Sequence, residues 1–190
     1  QYVGLVRYRW RGLLSMVTNH DEVFDLVDES GKVIGQAPRK ECHRNPSLLH
    51  RVVHVLVVVP GKGVLLQKRS KLKDIQPGKW DTSVGGHFAP GEDVGQAALR
   101  ELKEELGLEV DFSRLTYCYR YIMRSQVETE MVDTFALEHN GPFSFPEDEI
   151  DEIRWWPEGA VATALGSGVF TPNFEDEFSR FQIWRKSKTA

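Results

Sequence analysis

The chain has 190 residues, enough for one domain with a sizeable core, and a net charge of -4. That charge excludes nucleic-acid binding by a general positive field, though not a phosphorylated ligand held by a local basic patch. Its two cysteines, Cys42 and Cys118, make no disulfide framework and suit a reducing cytosol, and no apolar run approaches the length of a membrane span.

Residues 1–20 carry Arg7, Arg9 and Arg11 between short apolar pieces, with no acid before Asp21. They read as an N-terminal extension to a single domain over 21–190. The interrupting arginines are at odds with a secretory signal. Val23 to Gly35 has the form strand, turn, strand, with Gly31 in the polar loop. A short helix is expected between Pro38 and His43. Val52 to Val59 is a nearly continuous β-branched run, hence a central strand covered on both faces. Pro60 to Gly63 turns the chain into a second strand, Val64 to Lys68.

Lys68 to Trp80 is a basic loop, with Lys68, Arg69, Lys71, Lys73 and Lys79 against Asp74 alone. Arg69, at a strand end, is the candidate for a phosphate contact; a solvated basic loop is the other reading. Trp80 is expected to pack beneath the following loop rather than to touch a ligand.

Gly86 to Leu108, GHFAPGEDVGQAALRELKEELGL, organises the rest. Asp93 and Gln96 have the form of a capping box, and Gly107 suits a left-handed helix end. Ala97, Ala98, Leu102 and Leu106 supply packing positions. Glu101, Glu104 and Glu105 stand at i, i+3, i+4, so the spacing puts their carboxylates on one side. Three like charges there repel unless a cation or basic partner sits among them, and clustered carboxylates are the ligands Mg²⁺ and Mn²⁺ prefer.

Further on, Leu115 to Met123 and Met131 to Glu138 alternate as strands, joined by a polar connection at Arg124 to Thr129. Ile153 to Trp156 reads as a short strand and Pro157 to Leu165 as a helix. Thr171-Pro172 opens a last helix whose Phe174, Phe178, Phe181 and Trp184 form an apolar stripe.

The central stretch resembles the Nudix hydrolases at every defined position of their pattern. Gly86, Glu92, Arg100, Glu101, Leu102, Glu104, Glu105, Gly107 and Leu108 fill it. The resemblance implies an α/β fold, an α/β/α sandwich with a mixed β-sheet. It implies that Glu101 and Glu105 bind Mg²⁺ or Mn²⁺ with Glu104 assisting, that Arg100 orients the glutamates, and that Glu92 fixes the loop-helix geometry. It also implies cleavage of a phosphoanhydride in a small diphosphate, with Gly85 and Gly86 beside the substrate. The base is one of these groups or a carboxylate on a later loop, where Glu147, Asp148 and Glu149 are candidates.

From about Glu22 onward the chain also looks like the isopentenyl-diphosphate isomerase branch of the same superfamily, through WDTSVGGH and VETE. Those isomerases hold a metal through three histidines and two glutamates. The matching residues are His43, His50, His87, Glu128 and Glu130, a set open to a second Mn²⁺ or Zn²⁺. The isomerase cysteine is replaced by Gly85, and the carboxylate helix, degraded in the isomerases, is complete here. Both differences point to hydrolysis. An isomerase and a non-catalytic nucleotide-binding module are the alternatives.

Overall fold

The computed structural model describes residues 22–73 and 75–189. The expected N-terminal extension and Asp74 lie outside them. The strands are β1 (Val23–Val27), β2 (Val33–Pro38), β3 (Leu49–Val59), β4 (Gly63–Arg69), β5 (Trp80–Asp81), β6 (Val84–His87), β7 (Thr116–Arg124), β8 (Thr129–Glu138) and β9 (Ile150–Trp156). The helices are α1 (Arg39–Cys42), α2 (Val94–Leu106), α3 (Glu158–Ala164) and α4 (Pro172–Thr189).

The hub is β3, which pairs antiparallel with β1, β4 and β6 and parallel with β8. Its apolar run is covered on both faces because the alternation of a strand sends neighbours to opposite sides. Val53, Val55 and Val57 pack with Leu102 and Leu106 of α2 on one side, while Leu56 packs with Phe174, Phe178 and Phe181 of α4 on the other. The result is a mixed sheet between helices, the α/β/α sandwich expected from the sequence.

Two boundaries and one packing position differ from the sequence reading in ways that matter. The central strand begins at Leu49 rather than Val52, which brings His50 into the sheet opposite Glu130. The last strand begins at Ile150 rather than Ile153, paired along β4. Neither extension is apolar, so ladder pairing and not hydrophobic pattern sets the limits. Trp80 does not lie beneath the catalytic loop but in the core under α4, edge-on to Trp156 at 5.4 Å. Among the described residues no helix is long and apolar enough to cross a membrane.

Candidate active site

Helix α2 is fixed at both ends by its own sequence. Asp93 accepts from Gln96 N at 2.9 Å while the Gln96 side chain accepts from Asp93 N at 3.0 Å, closing the capping box. Gly107 ends the helix at φ 64°, a left-handed conformation in which a side chain would be strained and would strike Ser144.

Arg100 holds the head of the site together. Its Nε and Nη2 donate to the two oxygens of Glu92 at 2.8 Å each, and Nη2 also reaches the carbonyl of His87 at 2.8 Å. Nη1 donates to Glu101 at 2.7 Å and to Glu104 at 3.2 Å. Glu92 in turn accepts from Ala89 N, tying the loop to the helix.

The three helix glutamates are not equivalent. Glu101 is buried against Gly86, so close that a Cβ on that glycine would stand 1.9 Å from the carboxyl carbon. Glu105 reaches back to the sheet, accepting on one oxygen from Gln67 at 2.9 Å and from Gly85 N at 3.2 Å. Glu104 is exposed and turned to Arg100. Burial raises Glu101 to about 7, against the pull of Arg100. Burial raises Glu105 to about 8, the charge of Glu101 adding to it.

The five metal-ligand candidates of the second set converge from four segments. His43 follows α1, His50 is on β3, His87 ends β6, Glu128 lies in the turn before β8 and Glu130 is on β8. Ligand atoms of His43, His50 and His87 lie within 4.8 Å of one another, as do those of His50, Glu128 and Glu130. His87 Nε2 is 3.2 Å from that of His43 and 3.5 Å from Glu130. His50 Nδ1 lies 3.3 Å from the carbonyl of Leu48, and its buried Nε2, 3.8 Å from Glu130, has no hydrogen-bond partner among the described residues. Burial first, then the charge of His87, pushes His43 down to about 3; burial also holds His87 well below the usual range. These are neutral imidazoles, the form that ligates metals. Phe24 stacks on His87 at 4.3 Å and on His50 at 5.3 Å, walling the cluster.

Arg69 ends β4 as expected, but its Nε donates to Ile75 O at 3.0 Å and its Nη1 to Asp81 at 3.3 Å. Of the later acids, Glu147 and Asp148 are exposed, whereas Glu149 pairs with Lys73 at 3.0 Å. It stands near enough to Glu105 that its charge helps raise that carboxyl.

Sequence reasoning missed a buried polar cluster on the α4 side of the sheet. Glu177 accepts from Tyr119 at 2.5 Å, Tyr121 at 2.6 Å and Thr134 at 3.0 Å, and its other contact is His54 Nδ1 at 2.7 Å. Tyr119 and Tyr121, two apart on β7, share this face, while the register shift between Tyr117 and Tyr119 turns Tyr117 to the opposite one, against Phe135. Two signals existed: a histidine inside an apolar strand, and a glutamate three residues after Phe174 on the helix's apolar stripe.

A family model described as the NUDIX domain matches residues 48–174. An uncharacterised Nudix hydrolase of Yersinia pestis is 35% identical over 166 residues, covering 86% of this chain and 85% of the relative. An isopentenyl-diphosphate Delta-isomerase of Nocardia farcinica is 45% identical over 155 residues, covering 78% of this chain and 87% of the relative. A crystal structure from Deinococcus radiodurans superposes with a TM-score of 0.73 at 23% identity, covering 84% of this chain and 98% of that one, a likeness of fold. With the domain spanning most of the chain and the motif intact, this protein belongs to the Nudix hydrolase family.

Proposed function

We propose that the protein is a Mg²⁺- or Mn²⁺-dependent hydrolase of the phosphoanhydride in a nucleoside-diphosphate derivative or related small diphosphate. The observation that carries this reading is the state of Glu101 and Glu105. Among the described residues each keeps one carboxylate oxygen without a hydrogen bond, and Gly86 lacks a Cβ where Glu101 lies. Such hard oxygens fit Mg²⁺ or Mn²⁺, which Glu101 and Glu105 would hold with Glu104 beside them. When bound, the ion neutralises diphosphate oxygens and lowers the pKa of an attacking water.

The chain's own residues supply position and proton transfer. Arg100 aims Glu101 and Glu104, and Glu92 fixes Arg100. Gly85 and Gly86 let an anionic group approach the backbone closely. Arg69 donates to a phosphate oxygen through the guanidinium edge its loop leaves over. The water's proton passes to Glu105 or to Glu149, whose charge is felt at Glu105. His43, His50, His87, Glu128 and Glu130 would hold a second ion, Mn²⁺ or Zn²⁺, for which His50 Nε2, without a hydrogen bond among the described residues, is fitted. Residues 21–190 act as one catalytic domain behind an extension, and the free Cys42 and Cys118 suit the cytoplasm.

One observation favours a second reading, a prenyl-diphosphate isomerase: the His/Glu cluster, together with the Nocardia relative. Gly85 weighs against it. Allylic isomerisation needs a proton donor and an acceptor on opposite faces of a double bond, and glycine supplies neither.

The test is turnover of a panel of diphosphates by the purified protein with Mg²⁺ or Mn²⁺, with Glu105→Gln lowering kcat by about 100-fold or more. No turnover with either metal, or a Glu105→Gln enzyme as fast as its parent, overturns the hydrolase. Deuterium uptake from solvent into isopentenyl diphosphate would put the isomerase in its place.

A further inference from the structure

The two inward carboxylates of α2 are held from different parts of the chain. Glu101 is held from within the motif, by Arg100 Nη1 at 2.7 Å from one of its oxygens. Glu105, one turn further along, takes its side-chain donor from the sheet. Gln67 of β4 donates from Nε2 to Glu105 Oε2 at 2.9 Å, and the backbone N–H of Gly85 reaches the same oxygen at 3.2 Å.

Strand geometry explains how Gln67 comes to be there. Alternation along β4 sends Leu65 to the core under α2 and Leu66 to the core under α4, so Gln67 stands with Leu65 on the α2 face. Its neighbours on the flanking strands are Asp81 of β5 and Ile153 of β9, and Ile153 packs against the α2-side core. An apolar residue would continue that surface, yet the position holds a buried amide. Burying an amide is costly unless it is hydrogen-bonded, so space-filling alone gives no reason for glutamine. An ionised carboxylate can only accept, which turns the NH₂ end of the amide to Glu105. Two donors converging on Oε2 then set the plane of that carboxylate from the sheet side, and among the described residues Oε1 carries no hydrogen bond.

We propose that Gln67 is the positioning residue of Glu105, holding Oε2 so that Oε1 is presented to the divalent ion. It does for Glu105 what Arg100 does for Glu101, from outside the motif. Partners of this kind orient a metal ligand and strengthen its hold on the ion. This deepens the hydrolase reading, on which it rests for the ion that Glu105 would bind.

Mn²⁺ binding, followed by the electron paramagnetic resonance of the free ion, tests the role without turnover. The binding step that Glu105→Gln abolishes identifies the helix site and separates it from an ion at the His/Glu set. Gln67→Leu is expected to weaken that step by about 10- to 100-fold, the usual effect of removing such a partner. Gln67→Met, close to glutamine in length but without a donor, should do the same. In the parent, the side-chain amide ¹⁵N–¹H signals of Gln67 should move when Mg²⁺ is added, and Glu105→Gln should remove that response. A folded Gln67→Leu or Gln67→Met that binds Mn²⁺ as tightly as the parent overturns the proposal. So do Gln67 signals unmoved by Mg²⁺, or a parent with no Mn²⁺ step that depends on Glu105. Because the amide signals are read in the parent, a variant that fails to fold does not leave the question open. Weakened Mn²⁺ binding in a protein that cleaves no diphosphate would keep the inference and remove the hydrolase. Diphosphate turnover with the same Mg²⁺ dependence in the parent and Gln67→Leu would keep the hydrolase and remove the inference.

Discussion

Gly86 and Glu101 show how tightly the site is packed at the level of single atoms. With a would-be Cβ 1.9 Å from the carboxyl carbon, Gly86→Ala must push Glu101 or the strand aside. Overpacking of that kind costs about 1–3 kcal/mol, readable by urea denaturation, and kcat/KM should fall at least tenfold as Glu101 is displaced. Arg100 is equally specific. Its planar fork meets both oxygens of Glu92 and still reaches Glu101, Glu104 and the His87 carbonyl. A lysine cannot make that pattern, so Arg100→Lys is expected to lower kcat/KM more than tenfold while leaving Tm within a few degrees of the parent. Both residues are legible in the sequence because the motif spans one loop and one helix, where spacing fixes geometry. His54 and Glu177 are not, being 123 residues apart and joined only where α4 crosses the sheet.

At the scale of elements, α2 is self-specified and α4 is not. The capping box makes Asp93→Ala cost about 1 kcal/mol, a loss that urea denaturation can resolve. Helix α4 is anchored instead by its phenylalanines and by Glu177. Burial opposes ionisation of both His54 and Glu177, but their mutual hydrogen bond and charge, with help from Tyr119 and Tyr121, outweigh it. The imidazole is thereby held above its ordinary 6.5 and the carboxyl below its ordinary 4.5. The Glu177 contribution is present above pH 4.5 and is lost as pH falls through its depressed folded value. The His54 contribution is present below pH 6.5 and is lost as pH rises through its raised folded value. Stability of the parent over Glu177→Gln is therefore expected to peak between about pH 4.5 and 6.5, at about 3–5 kcal/mol, because the substitution leaves a buried imidazole unpaired. Urea titrations at pH 3.5, 5.5 and 8.5 check the shape. A flat difference across that range contradicts a charged pair.

Across the whole molecule, β3 collects what the chain disperses. It carries His50 and His54 on the face shared with Glu130, and on the other face the valines that seat α2. Five ligand candidates from four segments make the proposed second metal centre a property of the assembled sheet, so an ion bound there would stabilise the folded state by binding it alone. Elemental analysis of the protein as purified is expected to find one tightly held Mn or Zn. EDTA should lower Tm, and His50→Ala should abolish both the metal and the EDTA effect.

The sequence by itself determined the family, the carboxylate helix with its caps, and the apolar strands and stripes that become the two core layers. Each of these is local, encoded in spacing along one segment or in the periodicity of one element. It also named the five residues of the His/Glu set, through likeness to the isomerase branch. Only the tertiary structure decided that those five meet, that Glu104 turns outward to Arg100 while Glu101 and Glu105 turn in, and that Trp80 belongs to the core. Only it disclosed the His54–Glu177 pair between β3 and α4. Contacts of this kind depend on strand register. Shifting it by one position sends every side chain to the opposite face, and no short-range pattern records which choice was made.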